Sequence, residues 1–261
     1  AGGGMRNEFC YSQDEIDLLN KYADTTDDLH TDLHECLGHG SGKLLPGIDG
    51  DSLKAYGSTI EEARADLFGL YYIADAKLVE LGLTPDSEAY KAQYYSYMMN
   101  GLMTQLVRIN PGNNIEESHM RNRALIAHWC YEKGKAENVV ELVKKDGKTF
   151  VKINDYEKLR MLFSKLLAEI QRIKSEGDYT SARKLVETYG VKVDPALHKE
   201  ILERYRKLNL APYKGFINPV YTPVYGTDGS ITDVKIDYSE KYADQMLRYS
   251  QDYRTLPLIN E

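Results

Sequence analysis

Apolar residues recur every three to four positions along most of this chain, which is the period of an amphipathic α-helix. Capping signals indicate where several helices begin, since Ser12, Ser58 and Asn154 are each followed three residues later by a glutamate. Helices are therefore predicted over about residues 12–21, 27–39, 59–81, 85–110, 115–133, 154–176, 180–189, 194–208 and 239–254.

Two stretches have the composition of strands. Residues 139–145 and 149–153 flank Asp146-Gly147, a strong signal for a two-residue hairpin. Residues 216–225 and 231–238 are rich in β-branched and aromatic side chains. Because a lone hairpin is marginally stable in water, we expect this second one to need other strands. The predicted fold is mainly α, with a helical domain over 1–212 and a C-terminal hairpin and helix over 213–261.

Composition and charge exclude some classes of binding partner. The chain has 261 residues, 42% of them hydrophobic, and a net charge of −7, which argues against nucleic acid and anionic membranes as partners. It has no apolar run of about eighteen residues and no signal peptide pattern, so we expect a soluble protein. The three cysteines, Cys10, Cys36 and Cys130, have no paired spacing, which favours a reducing compartment such as the cytoplasm.

The segment His34-Glu35-Cys36-Leu37-Gly38-His39 is the strongest candidate for chemistry. Two histidines with a glutamate beside the first are typical of catalytic zinc sites, in which the histidines usually stand four residues apart on one helix face. Here they stand five apart, which on a regular helix separates the side chains by about 140°. We therefore predict a one-residue bulge near Gly38, because glycine has no Cβ and tolerates unusual backbone dihedrals. Cys36 is expected to be a small buried side chain, because a catalytic site needs an open fourth position.

A third ligand is available on the predicted helix 59–81. Glu62 and Asp66 lie on one face of that helix, with Glu61 adjacent. Two histidines and a carboxylate leave one position open for water, and Glu35 would take the proton of that water. An isolated His-Glu pair is usually an ordinary pair of helix residues, so this third ligand is what favours a zinc hydrolase.

Two motifs together resemble a known family. HECLGH and EEARAD are similar to the HExxGH and EE(C/A)RA(E/D) signature of the dipeptidyl peptidase III family, the metallopeptidase family M49. Residues 117–123 are similar to the His-Met-x-x-Arg helix of the same family. The resemblance implies zinc ligation by His34, His39 and Glu62, general-base catalysis by Glu35, orientation of the ligating imidazoles by Glu61 and Asp66, transition-state stabilisation by His119, and substrate binding by Arg123 and Lys214. Tyr213 occupies the position of a family arginine, a departure that bears on recognition of the substrate carboxylate.

The resemblance also implies what surrounds this chain. Members of the family are longer and have two lobes, so the chain resembles the helical zinc lobe followed by the C-terminal piece of a second, mostly absent lobe. The implied activity is zinc-dependent release of dipeptides from the N-terminus of short peptides, weak or absent in this part alone. Implied partners are the peptide, the missing lobe, or a second copy through the C-terminal hairpin. A zinc aminopeptidase or endopeptidase of another family, or a non-catalytic helical binding module, are the alternatives.

Overall fold

Nine helices and one hairpin form the first of two units, Ala1–Leu210, in the computed structural model, which describes residues 2–210 and 217–254. The helices are α1 (Gly2–Phe9), α2 (Gln13–Leu33), α3 (Gly57–Tyr72), α4 (Ala76–Glu80), α5 (Tyr90–Leu102), α6 (Ser118–Gly134), α7 (Tyr156–Glu176), α8 (Tyr179–Tyr189) and α9 (Pro195–Lys207). Short 3-10 turns cover Lys54–Tyr56, Thr104–Arg108 and Lys135–Glu137. The mainly α fold is confirmed for the described residues.

Several helix starts follow the predicted capping chemistry. The N–H of Ser12 donates to the carboxylate of Glu15 at 2.9 Å, so the capping box at the start of α2 is confirmed. At the start of α7 the cap is Asp155, which accepts the N–H of Lys158 at 2.9 Å, one residue later than predicted. Asp194 caps α9, whose first residue is a proline.

Other boundaries differ from the prediction. The predicted Ser58–Glu61 capping box does not form. Helix α3 begins at Gly57, and the carboxylate of Glu61 instead accepts a hydrogen bond from His39. The single helix predicted over 59–81 is two helices, since Asp75 accepts the N–H of Lys77 at 2.9 Å and thereby caps a separate α4. The helix predicted from residue 85 begins only at Tyr90, after a series of turns.

The hairpin of the first unit has the predicted turn. Strands β1 (Val140–Lys145) and β2 (Lys148–Ile153) are antiparallel, with Lys145 opposite Lys148. Asp146 and Gly147 have φ values of 51° and 76°, the left-handed conformations that a two-residue turn of this type requires.

The core lies where α2, α3, α5, α6 and α7 meet, and tyrosines of α5 fill much of it. Tyr94 and Tyr95 are fully buried, and their hydroxyls donate to the carbonyls of Leu70 and Val151 at 2.8 and 3.1 Å. Both tyrosines therefore fill the core while their hydroxyls stay hydrogen-bonded. Helices α2 and α3 pack so closely that a Cβ at Gly69 would lie 2.6 Å from the ring of His30.

The second unit, Ala211–Glu261, contains strands β3 (Val220–Tyr225) and β4 (Ile231–Asp237) and helix α10 (Tyr242–Asp252). The strands are antiparallel, with Tyr221 opposite Ile236, and these two side chains are 62% and 57% exposed. One face of the hairpin is therefore apolar and open. Tyr213, Lys214 and the predicted start of β3 at residue 216 lie outside the described residues.

Helix length and hydropathy also bear on membranes. Among the described helices, none combines the length and apolar character needed to cross a bilayer.

Candidate metal centre

The helix that carries the two histidines changes its winding at the motif. Helix α2 ends at Leu33 and continues as a π-helix over His34–His39, in which the N–H of Gly40 donates to the carbonyl of Glu35 at 3.1 Å. The wider turn brings residues five apart onto one face. The Nε2 atoms of His34 and His39 lie 3.0 Å apart as a result. The predicted bulge is therefore confirmed.

The role of Gly38 differs from the expectation. Its φ is outside the left-handed region, so no unusual dihedral is needed. A Cβ at this position would instead lie 2.6 Å from the Cα and 2.7 Å from the Cβ of Ala65 on α3. The glycine therefore permits the π-helix to approach α3, which carries the third candidate ligand.

Glu62 on α3 completes the cluster. Its Oε2 lies 3.4 Å from Nε2 of His34 and 3.7 Å from Nε2 of His39, and all three atoms lie within 4.8 Å of one another. That oxygen is buried and has no hydrogen-bond partner among the described residues. A buried carboxylate oxygen without a donor is unfavourable unless a cation neutralises it.

The donor set fits one zinc ion. Zinc binds histidine nitrogen at about 2.0–2.1 Å and carboxylate oxygen at about 2.0–2.2 Å, so tetrahedral ligand atoms are about 3.3 Å apart. The three observed separations, 3.0, 3.4 and 3.7 Å, bracket that value. Two imidazole nitrogens and one carboxylate leave a fourth position open, as catalytic zinc sites require.

Asp66 orients His34. Nδ1–H of His34 donates to Oδ1 of Asp66 at 2.7 Å, which leaves the lone pair of Nε2 directed toward His39 and Glu62. Oδ2 of Asp66 accepts hydrogen bonds from the hydroxyl of Tyr97 at 2.7 Å and from Nδ2 of Asn122 at 3.1 Å. Burial raises the pKa of Asp66, but the hydrogen bond from His34 and the other donors outweigh it, so the pKa is lowered and the carboxylate stays ionised.

Glu61 has the same relation to His39. Nδ1–H of His39 donates to Oε1 of Glu61 at 2.9 Å. The carboxylate also accepts two hydrogen bonds from Arg64, at 2.8 and 3.1 Å, and one from Lys174 of α7. Burial raises the pKa of Glu61, but these donors lower it to about 2. Arg64 in addition donates to the carbonyl of Gly38 at 2.6 Å, so one fully buried guanidinium joins α3 to the π-helix.

The remaining predicted residues surround a cleft of about 440 Å³ beside the cluster. Glu35, His119 and Arg123 all line it, together with His34. Nδ1 of His119 lies 3.3 Å from Oε2 of Glu62, and the side chain of His119 is 56% exposed. Lys214 lies outside the described residues.

Cys36 is exposed, contrary to the expectation of burial, because Gly38 and not Cys36 makes the close contact with α3. Arg64, Tyr97, Asn122 and Lys174 were not predicted. Arg64 stands three residues after Glu61, a spacing at which helical side chains meet, so the sequence could have predicted this ion pair. Lys174 gives no such signal.

Known proteins share this region. Residues 47–214 match the model of Peptidase family M49, a range that includes Glu61, Glu62 and His119 and begins after the histidine motif. Over 221 residues the chain is 24% identical to dipeptidyl peptidase 3 of Mus musculus and 24% identical to that of Homo sapiens; each match covers 70% of this chain and 30% of the relative. The chain thus spans about 30% of the length of these curated relatives.

Two solved structures have a similar fold. The structure of DPP III from Caldithrix abyssi matches 78% of this chain and 36% of its own, with 24% identity and a TM-score of 0.59. Dipeptidyl-peptidase III from Corallococcus sp. strain EGB matches 69% of this chain and 31% of its own, with 25% identity and a TM-score of 0.51.

Proposed function

This chain belongs to peptidase family M49, and from that membership we propose that it is the metal-bearing part of a zinc-dependent peptidase of the dipeptidyl peptidase III type. Its substrates are short peptides, from whose N-terminus the whole enzyme releases dipeptides. The names of the curated relatives and of both solved structures support this choice of activity.

The proposal depends above all on one observation, the convergence of three ligand atoms. Nε2 of His34, Nε2 of His39 and the unpartnered Oε2 of Glu62 meet at distances suited to one zinc ion. Asp66 and Glu61 accept hydrogen bonds from Nδ1 of the two imidazoles, so in the neutral rings the lone pair lies on Nε2, the atom that faces Glu62. When bound, zinc would polarise the scissile carbonyl and lower the pKa of a water molecule.

Glu35, His119 and Arg123 have the other roles. Glu35 accepts a proton from the attacking water and returns it to the leaving amine, and it lines the same cleft as His34. His119 stabilises the negative charge that develops on the carbonyl oxygen. Arg123, which lines the cleft, holds the peptide. Lys214, which lies outside the described residues, has the same role in this proposal.

The proposed partner is the rest of the longer enzyme. The curated relatives are more than three times the length of the matched region, and the face of β3 and β4 that carries Tyr221 and Ile236 is open. An open apolar face on a two-stranded hairpin favours pairing with further strands, or with a second copy of this chain. The three free cysteines favour a cytoplasmic location.

Zinc stoichiometry tests the proposal. Elemental analysis should give one zinc per chain, and His39→Ala should abolish stoichiometric zinc. His128→Ala is the matched control, because it removes an imidazole that instead lies near the carbonyl of Tyr189. Unchanged zinc content in His39→Ala would end the assignment.

Product analysis tests the reaction. The full-length enzyme should release dipeptides from a peptide with a free amino terminus and none from the same peptide acetylated there. The isolated chain should be a poor peptidase at equal zinc occupancy, because positioning of the peptide can supply about 7 to 11 kcal/mol of barrier reduction. Comparable kcat/KM for the chain alone and the full-length enzyme would contradict this.

A further inference from the structure

The cleft beside the metal cluster extends along α2 and α5 beyond Glu35 and His119. Gln93, Ser96 and Asn100 line it from one face of α5, since they stand three to four residues apart along that helix. Arg108 and Arg123 line it as well. These five residues are called the amide–arginine pocket below.

Each of the two amides of this pocket has polar atoms without a partner among the described residues. Gln93 is only 4% exposed, and its side chain makes no hydrogen bond within the described part of the chain. Oδ1 of Asn100 is buried without a donor, while its Nδ2 has one long contact of 3.5 Å with the hydroxyl of Thr104. Buried polar side chains are normally satisfied, so a buried amide such as Gln93, which lines a cavity without a partner, points to a polar ligand.

The two arginines are also free. Arg64, Arg172 and Arg204 each pair with a carboxylate, whereas neither Arg108 nor Arg123 lies within 4.0 Å of one among residues 2–210 and 217–254. Arginine presents a planar set of donors that suits a carboxylate.

Three carboxylates also line the cleft, and they leave the arginines available. Asp66 is occupied by His34, Tyr97 and Asn122. Glu35 is adjacent to the metal ligand His34 and has the role of base. Asp27 is exposed on α2 and makes no ion pair among the described residues. The cleft therefore has free arginine and amide donors at one part of its wall.

We propose that the amide–arginine pocket binds a carboxylate of the peptide. The inference rests on the proposed function, because it takes a short peptide as the ligand of this cleft. The guanidinium groups of Arg108 and Arg123 bind the carboxylate oxygens, and the amides of Gln93 and Asn100 bind the adjoining peptide groups. The carboxylate comes either from an acidic side chain or from the C-terminus.

Binding of three tripeptides separates these sources. Gly-Gly-Glu-amide offers only a side-chain carboxylate, Gly-Gly-Gly offers only a terminal one, and Gly-Gly-Gly-amide offers neither. Isothermal titration of the zinc-loaded chain should give a Kd about tenfold lower for at least one carboxylate peptide than for the neutral one, the size expected of one charge-assisted hydrogen-bonded pair. Equal Kd values for all three peptides would overturn the inference.

Variants locate the preference. Arg108→Gln and Arg123→Gln should each reduce it, and the double variant should remove all of it. Arg183→Gln is the matched control, because Arg183 is an exposed arginine of α8 outside the pocket. Circular dichroism checks that each variant is folded. A preference that survives in the double variant would place the carboxylate elsewhere.

The same titrations on the metal-free chain separate this inference from the proposed function. A peptide carboxylate can also bind zinc directly, so the preference must persist without the metal. A preference seen only with zinc would overturn the pocket. A chain that never binds zinc would contradict the proposed function, yet a carboxylate preference lost in the double variant would still support the pocket.

Discussion

Replacement of Arg64 by Met removes the buried guanidinium that joins the π-helix to α3. Arg64 donates to both carboxylate oxygens of Glu61, to the carbonyl of Gly38 at 2.6 Å, and to the hydroxyl of Ser41 at 3.2 Å. Its side chain is fully buried. Met has a similar length and no donor, so it fills the space but leaves these acceptors without their partner.

The expected loss of stability depends on which partners Glu61 keeps in the variant. Removal of one partner from a buried ion pair typically costs about 3 to 5 kcal/mol of unfolding free energy. The Glu61 side chain is 25% exposed and keeps His39 and Lys174, so we expect the lower end of this range, about 3 kcal/mol. Loss of groups that orient metal ligands costs about 10- to 100-fold in metal affinity, and we expect zinc binding to weaken by that factor.

Two measurements check this. Denaturant unfolding of the metal-free protein gives the stability change, and competition with a chelator gives the zinc affinity of the folded variant. Arg172→Met is the control, because it deletes a guanidinium that pairs with Glu169, Glu176 and Asp178 at the surface, where little stability depends on such pairs. Wild-type zinc affinity in Arg64→Met would show that the guanidinium does not position the ligands.

Three shorter predictions concern the acidic residues of the site. The pKa of Glu61 is depressed from 4.5 to about 2, so its contribution to stability should be present above pH 4.5 and be lost as the pH falls toward 2. Denaturant unfolding of Glu61→Gln should show a flatter dependence of stability on pH over this range. An acid dependence equal to that of the wild type would contradict this. Asp66→Asn should weaken zinc binding about 10- to 100-fold by disturbing the proton on Nδ1 of His34, as measured by chelator competition. Glu35→Gln in the full-length enzyme should keep the metal and lower kcat by about 10² to 10⁴, and near-normal kcat would remove Glu35 as the base.

Local signals in the sequence predicted much of the helical unit. The capping box at Ser12 and the turn at Asp146-Gly147 each involve residues that are neighbours in the chain, and both occur as predicted. The division of the helix predicted over 59–81 was missed, because the cap at Asp75 lies within a stretch of continuing apolar period. The start of α5 was placed too early, at Pro85, because proline suits the first turn of a helix, whereas the helix begins at Tyr90.

The sequence predicted the change of winding at the candidate site but not the packing that permits it. The five-residue spacing of His34 and His39 required a change of winding if both were to face one ion, and the structure has a π-helix there. The sequence could not give the reason for Gly38, because its contact is with Ala65, a residue 27 positions later. Backbone freedom can be inferred from glycine alone, whereas close approach depends on which helix packs against it.

Lys174 is the clearest case of a residue that only the fold reveals. It lies on α7, 113 residues beyond Glu61, within an amphipathic helix where a lysine ordinarily faces solvent. The packing of α7 on α3 places its ammonium on a carboxylate that already accepts from His39 and Arg64. Two cations on one carboxylate keep it ionised and reduce its tendency to take the proton of His39. The imidazole therefore keeps its proton on Nδ1 and its lone pair on Nε2, so a helix outside both sequence motifs helps fix the state in which His39 can bind a metal.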